Sequence, residues 1–544
     1  MSETKELAVF VFFLIFTKFI FAPSTFKTTQ PMKNTIYLLL FSILFYSCNP
    51  EENKVEPVSA TNQLLVLKST LNTVPDGKLY TQQEIDQNMY NQVKATNDFS
   101  WEKTDLKMVC SAAGITQLIA IGYQPAFIKD VREKLSSINI HSDAWKNVHD
   151  ELLKLIQVEL KKSGIDKNVN DLITEDDQTL PIITLRIADA KVITALSNLE
   201  NVRYIEPYGY WPSSYISRTT SSSGCTGSSY ALNSADYTTI YPGCKMSWNY
   251  NNVNVMNAWS VAQGQGITIG IIDAGISTTQ SLLGSNFNNG ESNVGRTLTT
   301  DYTYGTTAYT GCAHGTSMCG IAAGPRNNLG GPTGVAYKAN LVFIRACNDV
   351  VLDESAELSG VRSALIKMGN NVAVKIVSMS VGTPFSSSTL YDGVSYAYGK
   401  GKLIYAAAGT SFSWTSWWGV IYPAYYSECV AITGVNESST TCSNCHDGSK
   451  VLLTIPMQRN ANSERTTLSL PISGYTPAYV GGSSCATAFT AGVAALVWSV
   501  NPNLTRAQVS TCLKNTAQYY PVLSWYDGFG NVNAYNAVLM AQGM

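Results

Sequence analysis

The segment 266–276 reads GITIGIIDAGI and indicates the fold class of this 544-residue chain. It is an almost continuous apolar run that ends in one carboxylate, Asp273. Such a run predicts a strand covered on both faces, as in a parallel sheet. Parallel α/β sheets place functional side chains at the carboxyl ends of their strands, so Asp273 is a candidate site residue. Read alone, the segment is better explained by a structural or helix-capping role for Asp273.

Similar apolar runs recur through the second half of the chain, separated by helical patterns and glycine-rich turns. The predicted helices include Ala356–Met368 and Tyr391–Gly399. The predicted strands are Ile267–Ile272, Leu341–Ile344, Ile376–Ser380, Leu403–Ala408 and Cys429–Val435. This alternation predicts an α/β fold with a parallel sheet flanked by helices over residues 244–544.

Composition and charge exclude several classes of protein. Apolar residues are 45% of the chain and charged residues 14%, which excludes wholesale disorder, collagen and coiled coil. The 37 basic and 39 acidic residues give a net charge of -2, so no basic excess exists to bind nucleic acid. Residues 49–243 hold 18 basic and 24 acidic residues, whereas residues 244–544 hold 15 and 13. This difference indicates two units that are built differently.

Two further segments carry residue types that suit catalysis. Residues 314–324 read HGTSMCGIAAG, in which His314 opens a stretch of small residues that can pack closely as a helix. Residues 481–492 read GGSSCATAFTAG, in which a glycine-rich turn leads into a helix with Ser484 at its N-terminus. Free N–H groups there favour negative charge that develops near a serine nucleophile. Taken singly, each segment is better explained by ordinary packing.

Together, and in this order, the three segments match the Asp, His and Ser motifs of the subtilisin family, which the chain resembles over about residues 248–520. The resemblance implies a serine endopeptidase in which Ser484 attacks the peptide carbonyl. His314 would transfer the proton, and Asp273 would fix the tautomer of His314 and stabilise its charged form.

The resemblance also implies which residues contact the substrate. A strand that binds substrate backbone and walls the specificity pocket is expected at Ser380, Val381 and Gly382, and the other wall is expected at Ala407, Ala408 and Gly409.

The oxyanion hole departs from the family pattern. Thr410 stands where the family usually has Asn, and its shorter hydroxyl is predicted to be a compromised but working donor. The other departures near the nucleophile are Ser483 for Thr, Cys485 for Met and Ala488 for Pro.

The base of the specificity pocket is expected at Ile421, just before Tyr422-Pro423. A β-branched side chain there fills volume, which predicts a preference for small or medium apolar residues over Phe and Tyr. The alternative is that Ile421 points into the core and that one of three tryptophans shapes the pocket, namely Trp414, Trp417 or Trp418.

Residues 81–210 are predicted to form a small α+β domain with a split βαβ (ferredoxin-like) arrangement. The predicted elements are Gln117–Tyr123, Ala144–Lys162, Pro181–Ile187, Ala188–Leu199 and Val202–Ile205. This domain resembles the inhibitory propeptide of subtilisin-type proteases. The resemblance implies a zymogen whose propeptide occludes the cleft until self-cleavage in the Ser/Thr/Gly-rich linker 211–243.

The first 80 residues predict export. Residues 32–48 contain an apolar run, Ile36–Tyr46, that suits a secretory signal and is too short to span a bilayer. It is followed by Ser47 and Cys48, which resemble a bacterial lipoprotein cleavage site, so Cys48 is the predicted point of lipid attachment. Residues 1–31 are then an upstream extension and residues 49–80 a tether. The alternative is an N-terminal membrane anchor in which Cys48 is incidental.

Export allows disulfides to persist among the 12 cysteines, although the sequence does not determine their connectivity. Cys225 and Cys244 are candidates for a disulfide that closes the linker. The family resemblance places Cys312 and Cys347 beside the cleft and predicts a disulfide between them.

No cofactor is expected to be required. Cys442 and Cys445 beside His446 lack a second such pair, which argues against a structural zinc site. Calcium is common in the family, but no carboxylate-rich loop assigns a site to it.

The leading hypothesis is an exported subtilisin-like serine endopeptidase that acts on polypeptides, is inhibited by its own propeptide and is anchored to the bacterial envelope through Cys48. The alternative is a catalytically weak or silent surface lipoprotein that uses the fold to bind proteins; Thr410 favours it and the intact triad opposes it. A processing enzyme dedicated to one partner is a third hypothesis, which the sequence does not separate from a broad protease.

Overall fold

A computed structural model describes residues 64–213, 225, 228–410 and 419–544. The predicted signal segment with Cys48, the upstream extension, much of the linker and the three candidate tryptophans at 414, 417 and 418 therefore lie outside the described residues. Residues 62–544 form one compact unit, so the predicted propeptide-like domain and the predicted peptidase domain are in close contact.

The N-terminal part contains a four-stranded antiparallel sheet with the spatial order β2-β3-β1-β4. Its strands are β1 (Ile119–Tyr123), β2 (Ile173–Asp176), β3 (Ile182–Leu185) and β4 (Val202–Pro207). Its helices are α1 (Gln82–Thr96), α2 (Leu106–Thr116), α3 (Val131–Lys134), α4 (Asp143–Lys162) and α5 (Ala190–Ser197). With α4 between β1 and β2 and α5 between β3 and β4, this topology is the split βαβ arrangement that the sequence predicts.

The second part is built on a seven-stranded parallel sheet with the spatial order β13-β12-β11-β10-β7-β9-β8. Two antiparallel pairs, β5–β6 and β14–β15, lie outside it. The strands are β5 (Tyr237–Ile240), β6 (Cys244–Ser247), β7 (Thr268–Asp273), β8 (Leu298–Tyr302), β9 (Asn340–Arg345), β10 (Val374–Met379), β11 (Leu403–Ala407), β12 (Cys429–Asn436), β13 (Val451–Gln458), β14 (Thr467–Ser469) and β15 (Ala478–Val480). The predicted α/β fold with a parallel sheet is confirmed.

Helices accompany this sheet along the whole second part. They are α6 (Asn249–Asn252), α7 (Val255–Ala258), α8 (His314–Ala323), α9 (Ser355–Asn370), α10 (Ser388–Gly399), α11 (Gly482–Val500), α12 (Arg506–Asn515) and α13 (Ala534–Gln542). Among the described helices, α11 alone is long and apolar enough to cross a membrane, and 89% of its apolar stretch is buried inside the protein. Its small residues let it pack as a core helix against α8 and the sheet.

Buried charges join the N-terminal sheet to α9 and α10. Asp392 of α10 is fully buried and accepts hydrogen bonds from Arg132 Nε at 3.0 Å and from Arg203 Nη1 at 3.1 Å. Arg362 of α9 is also fully buried and pairs with Glu175 and Asp177. Charges at such depth need partners, so these pairs fix how the two parts pack together.

Glu206, at the end of β4, adds a contact to a helix N-terminus. Its carboxylate accepts hydrogen bonds from the backbone N–H groups of Ser388 at 2.8 Å and Thr389 at 3.3 Å. The side chain is 3% exposed, and burial raises the pKa of Glu206 to about 7. Glu206 therefore meets two unpaired donors in the first turn of α10.

Candidate active site

Asp273 and His314 form a buried pair at the carboxyl end of β7. Asp273 ends the strand, is fully buried and accepts a hydrogen bond from the backbone N–H of Ala274 at 2.8 Å. His314 begins α8, and its Nδ1 lies 2.8 and 3.0 Å from the two carboxylate oxygens of Asp273. Because an ionised carboxylate can only accept, Nδ1 carries the proton and Nε2 is left to take one up.

The small residues of α8 explain how His314 reaches Asp273. A Cβ on Gly315 would collide with the carbonyl oxygen of Gly275, so only glycine lets the helix come this close to the segment after β7. Every residue of α8 is buried. The helix is therefore held against the strand end, and its first side chain meets the carboxylate.

The electrostatics of the pair favour a charged imidazole. Burial alone would lower the pKa of His314, because desolvation disfavours the imidazolium. The charge of Asp273 and its hydrogen bond outweigh this effect, so the pKa of His314 is raised above its ordinary value. Asp273 can thus stabilise positive charge that appears on His314 during proton transfer.

Ser484 lies in the first turn of α11, which follows the N-cap Gly481. Its Oγ donates to the carbonyl oxygen of Ser380 at 3.5 Å, and Ser380 Oγ donates to the carbonyl oxygen of Ser484 at 3.0 Å. No hydrogen bond joins Ser484 to His314 in this conformation. Hydrogen bonds between a nucleophile and its base often tighten only when substrate binds.

Cys485, the residue after Ser484, is not a competing nucleophile. It is 1% exposed, and burial, together with the charge of Asp273, raises the pKa of its thiol. The thiolate is the reactive form of cysteine, so the buried protonated thiol of Cys485 is inert.

A cavity of about 810 Å³ opens beside His314. The residues that line it include His314, Cys485, Cys225, Ser228 and Tyr230. Cys225 forms a disulfide with Cys312, and its carbonyl oxygen accepts a hydrogen bond from the backbone N–H of Ala313 at 3.0 Å. Cys225 is therefore fixed one residue away from His314, at the rim of the Asp273–His314 pair.

The predicted disulfide between Cys312 and Cys347 is wrong. Cys312 pairs with Cys225, and Cys347 is a fully buried free thiol. The disulfide suggested between Cys225 and Cys244 does not form either, because Cys244 is also free and buried. Cys225 and Cys312 are 87 residues apart, and no local sequence pattern encodes a contact at that separation.

Thr410 lies close to the start of α11. Its Oγ1 is 3.1 Å from Ser483 Oγ, which also accepts a hydrogen bond from the backbone N–H of Gly409 at 3.1 Å. Thr410 is exposed and, with Gly481 and Gly482, lines a smaller cavity of about 230 Å³. Its hydroxyl therefore lies beside the N-terminus of α11.

The structure places Ile421 between the two predicted walls of the specificity pocket. Its backbone N–H donates to the carbonyl oxygen of Ala408 at 2.9 Å. Its side chain reaches Gly382, since a Cβ added at Gly382 would lie 2.8 Å from Ile421 Cδ1. Ala407 and Ala408 are buried at the end of β11 and just beyond it.

The backbone of Gly382, which is expected to bind substrate, is already hydrogen-bonded within the protein. Its backbone N–H donates to Val350 at 2.8 Å, and its carbonyl oxygen accepts from Leu352 at 2.9 Å. Both groups expected to bind substrate backbone are thus already paired, and Val381 is buried. The N–H of Gly382 can donate to a substrate strand only if its hydrogen bond to Val350 is broken.

The described residues contain no cluster of three or more His, Cys, Asp and Glu side chains of the kind that holds a metal ion. Cys442 and Cys445 form a disulfide, so their sulfur atoms are not available to zinc. No residue is assigned to calcium. His446, which follows this disulfide, packs beneath Gly409; the sequence gives no signal of that contact beyond the neighbouring cysteines.

Comparison with known proteins gives consistent matches over the second part of the chain. A family model described as "Subtilase family" matches residues 264–544. Thermitase from Thermoactinomyces vulgaris is 31% identical over 289 residues, which cover 53% of this chain and 93% of thermitase. Subtilisin BL from Lederbergia lenta is 31% identical over 272 residues, which cover 50% of this chain and 90% of that protein.

A solved structure extends the likeness of fold. Fervidolysin from Fervidobacterium pennivorans, described as a keratinolytic enzyme related to subtilisin, superposes with a TM-score of 0.52 at 18% identity. The match covers 78% of this chain and 60% of fervidolysin, and it concerns the fold alone. The family and the similar proteins found by sequence are those of proteases, which does not favour the alternative of a silent binding protein.

Proposed function

Because this chain belongs to the subtilase family and is a serine endopeptidase, we propose that Ser484, His314 and Asp273 are its catalytic residues and that it is made as a zymogen that cuts itself. One observation carries this proposal. The buried Asp273–His314 pair, whose Nδ1–Oδ1 distance is 2.8 Å, lies at the end of β7, and Ser484 occupies the N-terminal turn of α11.

In the proposed mechanism, Ser484 Oγ attacks the carbonyl carbon of the scissile peptide bond while Nε2 of His314 accepts its proton. Asp273 holds the Nδ1–H tautomer and stabilises the imidazolium that forms. The oxyanion is stabilised by N–H groups at the start of α11 and by the Thr410 hydroxyl. His314 then protonates the leaving amine, and water hydrolyses the acyl-enzyme on Ser484.

In the same proposal, residues 81–210 are the propeptide. Two contacts support this role: the buried ion pairs to α9 and α10, and the linker residue Cys225 at the rim of the catalytic pair. Cys225, Ser228 and Tyr230 belong to the predicted linker and line the cavity beside His314. Self-cleavage is therefore proposed within residues 211–243.

Polypeptides are the substrates of this enzyme. We propose that it is exported and that Cys48 carries a lipid that anchors it to the cell envelope. Whether it cuts many proteins or one partner follows from its specificity pocket, which we take to be formed by the segments 380–382 and 407–409 with Ile421 at the base.

Labelling with a serine-directed fluorophosphonate tests the catalytic assignment. We expect the wild-type protein to be labelled and Ser484→Ala to remain unlabelled. Ser499→Ala is a matched control at the other end of α11, where Ser499 Oγ donates to the carbonyl oxygen of Leu496, and it should label normally. Labelling of Ser484→Ala at the wild-type level would show that Ser484 is not the nucleophile.

Self-processing is tested by whether the precursor keeps or loses its N-terminal residues. Expressed in a protease-free host, Ser484→Ala should accumulate as a precursor that keeps residues 81–210, because the nucleophile is needed for the cut. Loss of these residues from Ser484→Ala in that host would exclude self-cleavage.

A further inference from the structure

His446 lies directly beneath the oxyanion segment, which we define as Gly409 and Thr410. The side chain is 3% exposed, and the backbone N–H of His446 donates to the carbonyl oxygen of Gly409 at 2.9 Å. Gly409 has φ of 127°, and a Cβ at this position would collide with the imidazole ring of His446. The ring therefore packs against the backbone of Gly409, with no side chain between them.

The ring also contacts Gly419, which is the first described residue after 411–418 in the sequence. Its Nδ1 lies 2.7 Å from the carbonyl oxygen of Gly419. A carbonyl can only accept, so Nδ1 carries a proton and donates it. Burial lowers the pKa of His446, which keeps the ring neutral with this proton in place. One residue thus joins Gly409 to Gly419.

His446 is itself held on two sides. Its carbonyl oxygen accepts a hydrogen bond from Thr433 Oγ1 of β12 at 2.5 Å. The preceding residue, Cys445, forms an antiparallel bridge with Thr410 and a disulfide with Cys442. The support beneath Gly409 and Thr410 is therefore tied to the sheet and to a closed disulfide loop.

We infer that His446 is a positioning residue of the oxyanion hole, which holds Gly409 and Gly419 so that the Thr410 hydroxyl stays aimed at the reacting carbonyl. The inference rests on the proposed roles of Thr410 and Ser484 and adds to them a group that holds the segment carrying Thr410. An oxyanion donor must be held to within about 0.5 Å to be effective. Loss of one such donor lowers turnover by about 10²–10³.

Two substitutions at this position separate hydrogen bonding from packing. Asn carries an amide N–H near the position of Nδ1, so His446→Asn keeps a donor for Gly419. Leu fills similar space without a donor. We expect His446→Leu to lower kcat at least tenfold with KM within about threefold of the wild-type value, and His446→Asn to stay within about threefold in both. The control is Ser443→Ala in the same disulfide loop, whose hydroxyl contacts Gln458 and not the oxyanion segment.

A double substitution tests whether His446 acts through Thr410. In a Thr410→Val background, His446→Leu should cause little further loss of kcat, because the donor that it positions is already gone. Losses that multiply, a change in KM alone, or wild-type kcat in His446→Leu would each overturn the inference. If His446→Leu does not fold, the same comparison is made between His446→Asn and His446→Gln, whose donor is one methylene farther out. Equal activity of those two variants would also overturn it.

Fluorophosphonate labelling separates this inference from the proposed function. If wild-type Ser484 does not react, the proposed function fails. If wild-type Ser484 reacts and His446→Leu reacts at the same rate, only the positioning role of His446 fails.

Discussion

Ser483 Oγ lies 3.1 Å from Thr410 Oγ1 and orients it. Either hydroxyl can donate in this pair, and Ser483 Oγ, which also accepts a hydrogen bond from the backbone N–H of Gly409, can give its own proton to Thr410 Oγ1. The proton of the Thr410 hydroxyl is then free to point toward an oxyanion. A residue that the family pattern gives as Asn is thus replaced by two linked hydroxyl groups.

The first prediction concerns this donor. Thr410→Val removes the hydroxyl and keeps the shape, so kcat should fall by about tenfold to 10³-fold while KM changes little, since charge on the carbonyl oxygen develops only in the transition state. Thr410→Asn should keep or raise kcat, because the carboxamide reaches farther. Steady-state kinetics on a peptide substrate measure both. Equal turnover in the wild type and Thr410→Val would show that backbone N–H groups alone serve the oxyanion.

A second prediction follows from the Asp273–His314 pair. Asp273→Asn removes the charge that raises the pKa of His314 and leaves the burial that lowers it. His314 must be neutral to act as a base, so the acid limb of the kcat/KM profile should move to lower pH in the variant. The rate itself should fall by about 10⁴, because the amide can favour the wrong tautomer. An unchanged midpoint of the acid limb would contradict the assignment of His314 as the base.

The parallel sheet was predictable because its central strands are buried on both faces. The predicted runs at 267–272 and 403–408 match β7 and β11 to within one or two residues. The edge strands β8 and β13 were missed for a physical reason. β8 is largely polar and partly exposed, and β13 contains Pro456, which is tolerated at a sheet edge but weakens a strand prediction.

The candidate site was predictable only where chemistry coincides with a strand or helix end. Asp273 ends β7 and His314 begins α8, and both residues lie in sequence motifs that can be recognised without the structure. The contacts of Cys225 and His446 join segments that are distant in sequence, and no periodicity records them. Nor does the motif at 380–382 reveal that Gly382 is already paired with Val350 and Leu352, because that pairing depends on the position of another loop.

The third prediction is the disulfide pattern. Peptide mapping under non-reducing conditions should recover Cys225 linked to Cys312 and Cys442 linked to Cys445. Cys347 should react with alkylating reagents only after denaturation, because it is fully buried. A peptide that links Cys312 to Cys347 would contradict this pattern.

The fourth prediction concerns Glu206 and pH. Burial raises its pKa from the ordinary 4.5 to about 7 in the folded protein, so its contribution to stability is fully present below about pH 4.5 and is lost as pH rises through about 7. Glu206→Gln keeps an acceptor for Ser388 without the charge. We make this substitution in the Ser484→Ala precursor and compare its effect on the free energy of unfolding at two pH values. The effect should be more stabilising at pH 8 than at pH 5 by roughly 1–3 kcal/mol.

Urea unfolding at the two pH values measures that difference. The charge of Glu102 also raises the pKa of Glu206, so Glu102→Gln is the control for effects of a neighbouring charge. If the difference in free energy of unfolding between Glu206→Gln and its parent is the same at pH 5 and pH 8, Glu206 does not titrate in this range.

The last prediction concerns the residue that precedes the cut. Ile421 lies between Ala408 and Gly382, and its Cδ1 reaches toward the Cα of Gly382, so its side chain occupies the space between the two walls. A large aromatic side chain entering there would overpack the pocket, at a cost of about 1–3 kcal/mol, which corresponds to roughly tenfold or greater discrimination. We therefore expect small and medium apolar residues to be preferred over Phe and Tyr. Ile421→Gly should relax this preference, and Ile421→Val should keep it. Profiling with a peptide library measures all three proteins, and a wild-type preference for Phe or Tyr would show that the pocket lies elsewhere.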